Sequence, residues 1–236
     1  MVAGRPVYRR RFRDDTSLIA VQSGVGEERA LSAAHWLISE GATALAAIGL
    51  SGGLYPGLCA GDLLIAAAVL QVDDIKSTSV WDTDADCAVR ALSTLSAEGI
   101  SVHYGMVATT RQAVFTSEKK EALFLQTRAL AVDMESAAIA RAAAVSHLPI
   151  FLLRAICDPS RTTVPKEIFD CLDHDGNVGH KALLRNLLCQ PSLMGAIVRI
   201  TRQYAAASVA LKRAWLALMK RRLPAYIATR YSDGSV

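Results

Sequence analysis

Short apolar runs alternate with segments of helical periodicity along most of the chain. Uninterrupted apolar runs of this length indicate strands buried on both faces, whereas apolar residues three and four positions apart indicate helices. Strands are predicted over residues 18–22, 44–50, 63–72, 102–108, 129–132 and 150–156. Helices are predicted over residues 27–40, 84–98, 118–127 and 137–145. This alternation predicts an α/β sheet with helices on both sides.

From residue 183 the chain is predicted to be helical, with breaks at Pro191 and Pro224. One face of this helix is apolar, and the opposite face carries Arg and Lys. The apolar stripe consists of Ile197, Ile200, Tyr204, Leu211, Trp215 and Leu218. Residues 176–232 contain ten Lys or Arg and no Asp or Glu, against a net charge of +4 for the whole chain. The tail is therefore a basic amphipathic helix.

Two interpretations of this tail stay open. The helix packs its stripe against the domain or a second subunit, with the charged face in water. Alternatively it lies on an anionic membrane surface, with Ile197, Leu211, Trp215 and Leu218 in the acyl boundary. No run of uncharged apolar residues is long enough to span a bilayer. No nucleic-acid motif accompanies the basic residues, so a nucleic-acid partner is not expected.

Composition excludes several classes of protein. The chain has 236 residues, 52% hydrophobic and 20% charged, which is unlike disordered or collagen-like proteins. Its five cysteines are odd in number and form no C-x-x-C pair, which favours reduced thiols and a cytoplasmic location. The histidines offer no pair at i,i+4 and no H-E-x-x-H pattern, so we expect no metal. No cofactor is expected either.

Two glycine-containing segments follow predicted strands. Ser51-Gly52-Gly53 is explained either as a tight turn or as a place where a ligand approaches the backbone. Ser23-Gly-Val-Gly26 precedes a helix, where backbone amides bind anions. It has neither the G-x-G-x-x-G spacing nor a Walker lysine, so we exclude a dinucleotide site and a P-loop.

Two carboxylates lie at the ends of predicted strands. Glu135 lies where a strand gives way to a helix, and Asp158 follows the most apolar strand. Each has a local explanation, since a carboxylate suits a helix N-terminus and an aspartate suits a turn before proline. Ligands of open α/β sheets bind at strand ends, and paired carboxylates cleave glycosidic bonds. The pair is therefore also a candidate active site.

Three segments, in order, resemble the nucleoside phosphorylase and nucleosidase superfamily. They are Ile48-Gly-Leu-Ser-Gly-Gly-Leu54 with Pro56 and Gly61-Asp62, Val132-Asp-Met-Glu-Ser-Ala-Ala-Ile-Ala140, and Leu153-Arg-Ala-Ile-Cys-Asp158. The resemblance implies a three-layer αβα domain over residues 1–185 with a mixed, partly barrel-like sheet. Residues 186–236 then form a C-terminal helical extension. Asp158-Pro-Ser-Arg161 with Pro165, and the basic tail, resemble the hopanoid-associated branch.

The resemblance also implies roles for individual residues. Asp158 would protonate purine N7, Glu135 would hold the ribose hydroxyls, and Met134 would pack against the sugar. Phe115 lies in the segment that supplies a wall for the base. The purine and sugar loop would comprise Ser51, Gly52 and Gly53.

Two departures from the superfamily pattern bear on the nucleophile. The opening strand, whose acidic residue orients the attacking water, is missing, and Arg9-Arg10-Arg11 occupies the start of the chain. Either this start is truncated or the nucleophile is activated differently. Phosphorylases hold phosphate with an arginine and a serine where this chain has Ala47 and Leu50. We therefore favour hydrolysis, with phosphate as the alternative co-substrate.

The expected activity is release of adenine from adenosylhopane, giving ribosylhopane or phosphoribosylhopane in hopanoid biosynthesis. One alternative is a nucleosidase or phosphorylase for a soluble nucleoside such as methylthioadenosine, and another is a non-catalytic nucleoside-binding protein. The superfamily resemblance also implies a homo-oligomer. We expect it in the cytoplasm, and under the second interpretation of the tail it also contacts the inner membrane peripherally.

Overall fold

The structure, a computed structural model, describes residues 6–12, 16–73, 76–165 and 193–221. The strands are β1 Val7–Arg11, β2 Ser17–Val21, β3 Leu45–Gly53, β4 Leu63–Asp73, β5 Lys76–Asp82, β6 Val102–Thr110, β7 Ala131–Asp133 and β8 Ile150–Asp158. The helices are α1 Glu27–Ser39, α2 Ala85–Ala97, α3 Ser117–Thr127, α4 Ser136–Val145 and α5 Leu193–Lys220. The predicted boundary after residue 185 and the breaks at Pro191 and Pro224 lie outside the described residues.

Six strands form one mixed sheet in the order β5-β4-β6-β7-β3-β8. Strand β8 also pairs antiparallel with β4, so five of the strands close into a barrel and β5 lies outside it. Strand β3 runs parallel to β8 and antiparallel to β7. The expected mixed, partly barrel-like αβα fold is confirmed.

Helices cover the sheet on two sides because its strands are apolar on both faces. Helices α1 and α4 pack on one side with small residues, which allow close approach to the strands. Helices α2 and α5 cover the other side. A third apolar cluster, which includes Leu123 of α3, lies around Leu54 and Val132.

Three strand predictions were wrong or incomplete. Strand β2 belongs to a separate antiparallel hairpin with β1 and not to the main sheet. Strands β1 and β5 have the polar sequences Val-Tyr-Arg-Arg-Arg and Lys-Ser-Thr-Ser-Val-Trp-Asp, so they lack the apolar signal of a buried strand. Ser51–Gly53 does not break β3 but forms its last three residues, across a β-bulge.

Helix α5 packs against β8 and α2. Its contacts come from Ala207, Ala214 and Leu218, which are buried, and from partly buried Leu211. Leu218 is buried and Leu211 packs partly buried against the same cluster, so the open interpretation that places both in a membrane is contradicted at these two residues. Among the helices of the described segments, none is long and apolar enough to cross a bilayer.

Candidate active site

Three strand ends meet at Gly52. In the sheet Gly52 pairs with Val132 of β7 on one side and with Asp158 of β8 on the other. A Cβ at Gly52 would lie 3.2 Å from Asp158 Oδ2 and 3.3 Å from Val132 Cγ1, which is tighter than most real contacts. The glycine therefore lets the Asp158 carboxylate lie against the β3 backbone.

Asp158 forms an ion pair that the sequence analysis did not anticipate. The Nζ atom of Lys120, on α3, donates to Asp158 Oδ2 at 2.5 Å. The Lys120 side chain is fully buried, whereas that of Asp158 is 21% exposed. Burial raises the pKa of the Asp158 carboxyl, and the nearby Lys120 ammonium opposes that rise. The site thus contains a partly accessible acid whose proton is favoured by its surroundings.

Phe115 precedes α3 in a segment that is tied to the chain after β8. Its carbonyl accepts a hydrogen bond from the Val164 amide at 2.9 Å. The Ser117 amide donates to Thr163 Oγ1 at 3.4 Å. These contacts bring the Phe115 segment to the end of β8 that carries Asp158. Contact of Phe115 with a base stays a prediction.

Glu135 immediately precedes α4, at the end of β7. Its Oε1 accepts from the Gly26 amide at 2.7 Å, and Oε2 accepts from the Met134 amide at 3.3 Å. Burial, followed by the charge of Asp133, raises the pKa of Glu135. Gly26, predicted as part of an anion cradle, thus binds an anion of the protein itself.

A buried polar network fixes the backbone that carries Glu135. Arg154 Nε of β8 donates to Asp133 Oδ2 at 2.8 Å, and Thr109 Oγ1 donates to Asp133 Oδ1 at 2.8 Å. Ser136 accepts from Arg154 Nη2 at 2.6 Å and itself donates to Asp133. The Glu135 amide also donates to Asp133 Oδ1, at 3.3 Å. In the sequence, Asp133, Ser136 and Arg154 stand out only as parts of the motifs.

Glycine also makes room for this network. A Cβ at Gly49 would lie 2.6 Å from Arg154 Nη1, so no other residue fits without displacing the guanidinium. Nearby on the same strand, the Ser51 hydroxyl is buried and has no hydrogen-bond partner within the described part of the chain. Met134 is partly buried beside Glu135. Sugar contacts by Ser51 and Met134 stay predictions.

The two positions at which the resemblance implies phosphate ligands, Ala47 and Leu50, are apolar. Ala47 is buried in the cluster under α1 and α4, and Leu50 packs against the cluster on the other side of the sheet. The described residues also contain no group of three or more His, Cys, Asp or Glu side chains arranged to hold a metal ion.

Residues 2–184 match the Phosphorylase superfamily, which is most of the chain. The chain belongs to this superfamily. Aminodeoxyfutalosine nucleosidase of Helicobacter pylori strain J99 is 25% identical over 168 residues, covering 66% of this chain and 73% of that protein. Membership and this relative confirm the expectation of an enzyme of the nucleosidase and phosphorylase class.

Solved structures of nucleosidases share the fold of this superfamily member. S-adenosylhomocysteine nucleosidase of Streptococcus pyogenes, in complex with 5-methylthiotubericidin, superposes with a TM-score of 0.70 at 22% identity, covering 94% of this chain and 86% of that one. The methylthioadenosine/S-adenosylhomocysteine nucleosidase of Neisseria meningitidis, in complex with methylthio-immucillin-A, gives 0.69 at 20% identity, covering 92% and 87%. The expected homo-oligomer and location in the cytoplasm stay predictions.

Proposed function

We propose that this protein hydrolyses the N-glycosidic bond of an adenine nucleoside, with Asp158 as general acid and Glu135 as sugar ligand. One observation carries the proposal. Two partly buried carboxylates with raised pKa values, Glu135 and Asp158, lie at the ends of β7 and β8, the two strands that pair with Gly52 on either side. A paired arrangement of this kind divides protonation of a leaving group from stabilisation of the sugar.

The chemistry follows from the charges that develop in the transition state. A purine anion is a poor leaving group, and a positioned acid speeds its departure by about 10²- to 10⁴-fold. The raised pKa of Asp158 keeps its proton available at higher pH than an exposed aspartate would. As positive charge develops at C1′, the Glu135 carboxylate at the sugar hydroxyls stabilises it more than it stabilises the ground state.

Water is the proposed nucleophile. Neither Ala47 nor Leu50 carries a polar side chain, and both pack in hydrophobic clusters. Phosphate would lose the side-chain ligands that phosphorylases have there.

Adenosylhopane is the proposed substrate within this reaction class. The resemblance of Asp158-Pro-Ser-Arg161 and Pro165 to the hopanoid-associated branch supports it. The exposed face of α5 gives further support, because Val198, Val209 and Leu216 are exposed there among Arg202 and Arg213. Apolar and basic side chains on one exposed face suit the surface of an anionic membrane, where a lipid-linked substrate resides. This face is opposite to the stripe predicted from the sequence.

Adenine release tests the reaction and the substrate together. We expect release from adenosylhopane in anionic vesicles at equal rates with and without phosphate, and slower release from methylthioadenosine. Phosphate-dependent release would contradict hydrolysis, and faster release from methylthioadenosine would favour a soluble substrate. No release from either substrate would favour a binding protein.

Sedimentation with the same vesicles tests the membrane face. We expect Val209→Ser/Leu216→Ser to lose vesicle binding while still cleaving methylthioadenosine. The matched control is Thr201→Ser/Ala205→Ser, which changes exposed positions of the same helix without removing large apolar side chains.

A further inference from the structure

Lys120 is the largest fully buried polar side chain in the described residues, and all its hydrogen bonds go to the end of β8 and the turn after it. Besides Asp158 Oδ2, its ammonium donates to three carbonyl oxygens. They are those of Asp158 at 3.1 Å, Pro159 at 3.1 Å and Thr162 at 3.0 Å. An unpaired buried ammonium is costly, and these four oxygens supply its hydrogen-bond partners.

We propose that Lys120 is a positioning residue that orients Asp158 and stabilises the carboxylate formed when Asp158 gives its proton to the base. The inference rests on the proposed function, because it assumes that Asp158 is the acid. Lys120 donates to Oδ2, and within the described residues none of the hydrogen bonds of its ammonium goes to Oδ1. Oδ1 is therefore the oxygen left to carry the transferred proton.

The charges before and after the proton transfer from Asp158 explain why a cation lies next to this carboxylate. The proton on Asp158 moves to N7 while the electron pair of the C1′–N9 bond passes to the purine. Adenine leaves neutral with the proton on N7, and water adds to C1′ and gives up a proton to the surrounding solvent. Asp158 ends the step as a carboxylate next to Lys120, so the positive charge stabilises the product side of the proton transfer. A cation already fixed in a buried site needs no reorganisation to do this.

Other charged or titratable groups near this end of β8 do not replace Lys120. Cys157 precedes Asp158, and burial raises the pKa of its thiol to about 12, so it is neutral. Glu135, at the β7–α4 junction, is another acid.

From α5, Arg199 donates to the Thr163 carbonyl at 3.5 Å and not to Asp158. Strand β3 contributes Ser51, Gly52 and Gly53, which do not titrate. Lys120 is therefore the cation paired with Asp158.

Variants of Lys120 separate its charge from its hydrogen bonds. Lys120→Gln keeps a donor without charge, and Lys120→Arg keeps the charge. The matched control is Lys119→Gln, because Lys119 is the exposed neighbour on α3. Adenine release from methylthioadenosine and adenosylhopane is measured from pH 5 to 10, with folding checked by circular dichroism.

We expect Lys120→Gln to lower kcat about 100-fold, as loss of a preorganised charge does, while KM changes by less than about threefold. Activity falls as pH rises through the pKa of Asp158, because the acid must carry its proton. Removing the cation raises the pKa of Asp158. The alkaline limb, which is the fall in activity on the high-pH side of the pH–activity profile, should therefore move to higher pH in Lys120→Gln. Lys120→Arg should keep the limb within about 0.3 pH units and most of the activity, and Lys119→Gln should match the parent. A folded Lys120→Gln with an unmoved limb would overturn the proposal, since a purely structural lysine lowers activity without moving it.

A double-mutant cycle with Asp158→Asn distinguishes failure of this inference from failure of the proposed function. If Lys120 acts through Asp158, Lys120→Gln costs less than about threefold once Asp158 is Asn. A full additional loss in that background would overturn the role of Lys120 alone. An active Asp158→Asn would instead overturn the acid assignment. If Lys120→Gln does not fold, Lys120→Arg decides, because a folded arginine variant with more than 100-fold loss or a shifted limb contradicts the proposal.

Discussion

Two ion pairs lie in the carboxyl-terminal half of β8, and their carboxylates differ in exposure to solvent. In the pair Arg154–Asp133 the side chains are 5% and 1% exposed, and both carboxylate oxygens accept hydrogen bonds. In the pair Lys120–Asp158 the lysine is 0% exposed but the aspartate is 21% exposed. The two pairs therefore suit different roles. The fully buried pair holds the backbone that carries Glu135, whereas the proposed function needs an aspartate that a substrate can reach.

The largest expected effect is the loss of protein stability when the Arg154–Asp133 pair is broken. Asp133→Ala leaves the Arg154 guanidinium buried without its carboxylate, which should lower the free energy of unfolding by about 3–5 kcal/mol. Urea denaturation measures this loss. The matched variant Asp158→Ala should lose less, because three carbonyls still accept from Lys120. Equal losses would contradict the distinction between the two pairs.

The rate of adenine release tests the role of Asp158 in the Lys120–Asp158 pair. Asp158→Asn should lower kcat for adenine release by about 100-fold or more, because an amide can hydrogen-bond N7 but cannot give it a proton. Single-turnover release of labelled adenine measures the step without interference from product release. Turnover within about threefold of the parent would contradict the acid assignment.

Both candidate carboxylates were accessible to sequence reasoning, whereas their partners were not. Glu135 and Asp158 end apolar runs, and this local signal needs no tertiary information. Lys120 lies in a charged stretch of α3, Ser-Glu-Lys-Lys-Glu, which is typical of a solvent-exposed helix face. Only the tertiary fold, which brings α3 to the end of β8, distinguishes it from Lys119.

The fold shows the same division between local and tertiary information. Strands β3, β4 and β8 were predictable because burial on both faces requires uninterrupted apolar residues. Barrel closure was not derivable from the pattern, since the pairing of β4 with β8 joins Leu64 to Arg154. In α5 the periodicity predicted an apolar stripe, but it did not indicate that β8 and α2 cover this stripe.

A smaller effect than that of Asp158 is expected at Glu135. Glu135→Gln should lower kcat/KM for an adenine riboside by about tenfold, which corresponds to the lower end, about 1.5 kcal/mol, of what hydrogen bonds to a charged group contribute. The 2′,3′-dideoxy analogue should lose much less, because it lacks the hydroxyls. Steady-state assays of both substrates with parent and variant make this comparison a double-mutant cycle. Equal losses on both substrates would contradict a sugar contact.

The smallest effect is expected for an exposed ion pair close to the same site. Arg141 of α4 donates to Glu27 of α1 at 3.0 Å, nearly the 2.8 Å between Arg154 and Asp133, but these side chains are 40% and 31% exposed. Water screens the charges and competes for the hydrogen bond, so the coupling energy in a Glu27→Gln/Arg141→Gln cycle should be below about 1 kcal/mol. Urea denaturation at low and high salt measures it, and salt should reduce it further. A coupling energy as large as that of Arg154–Asp133 would mean that distance, and not burial, sets the strength of these pairs.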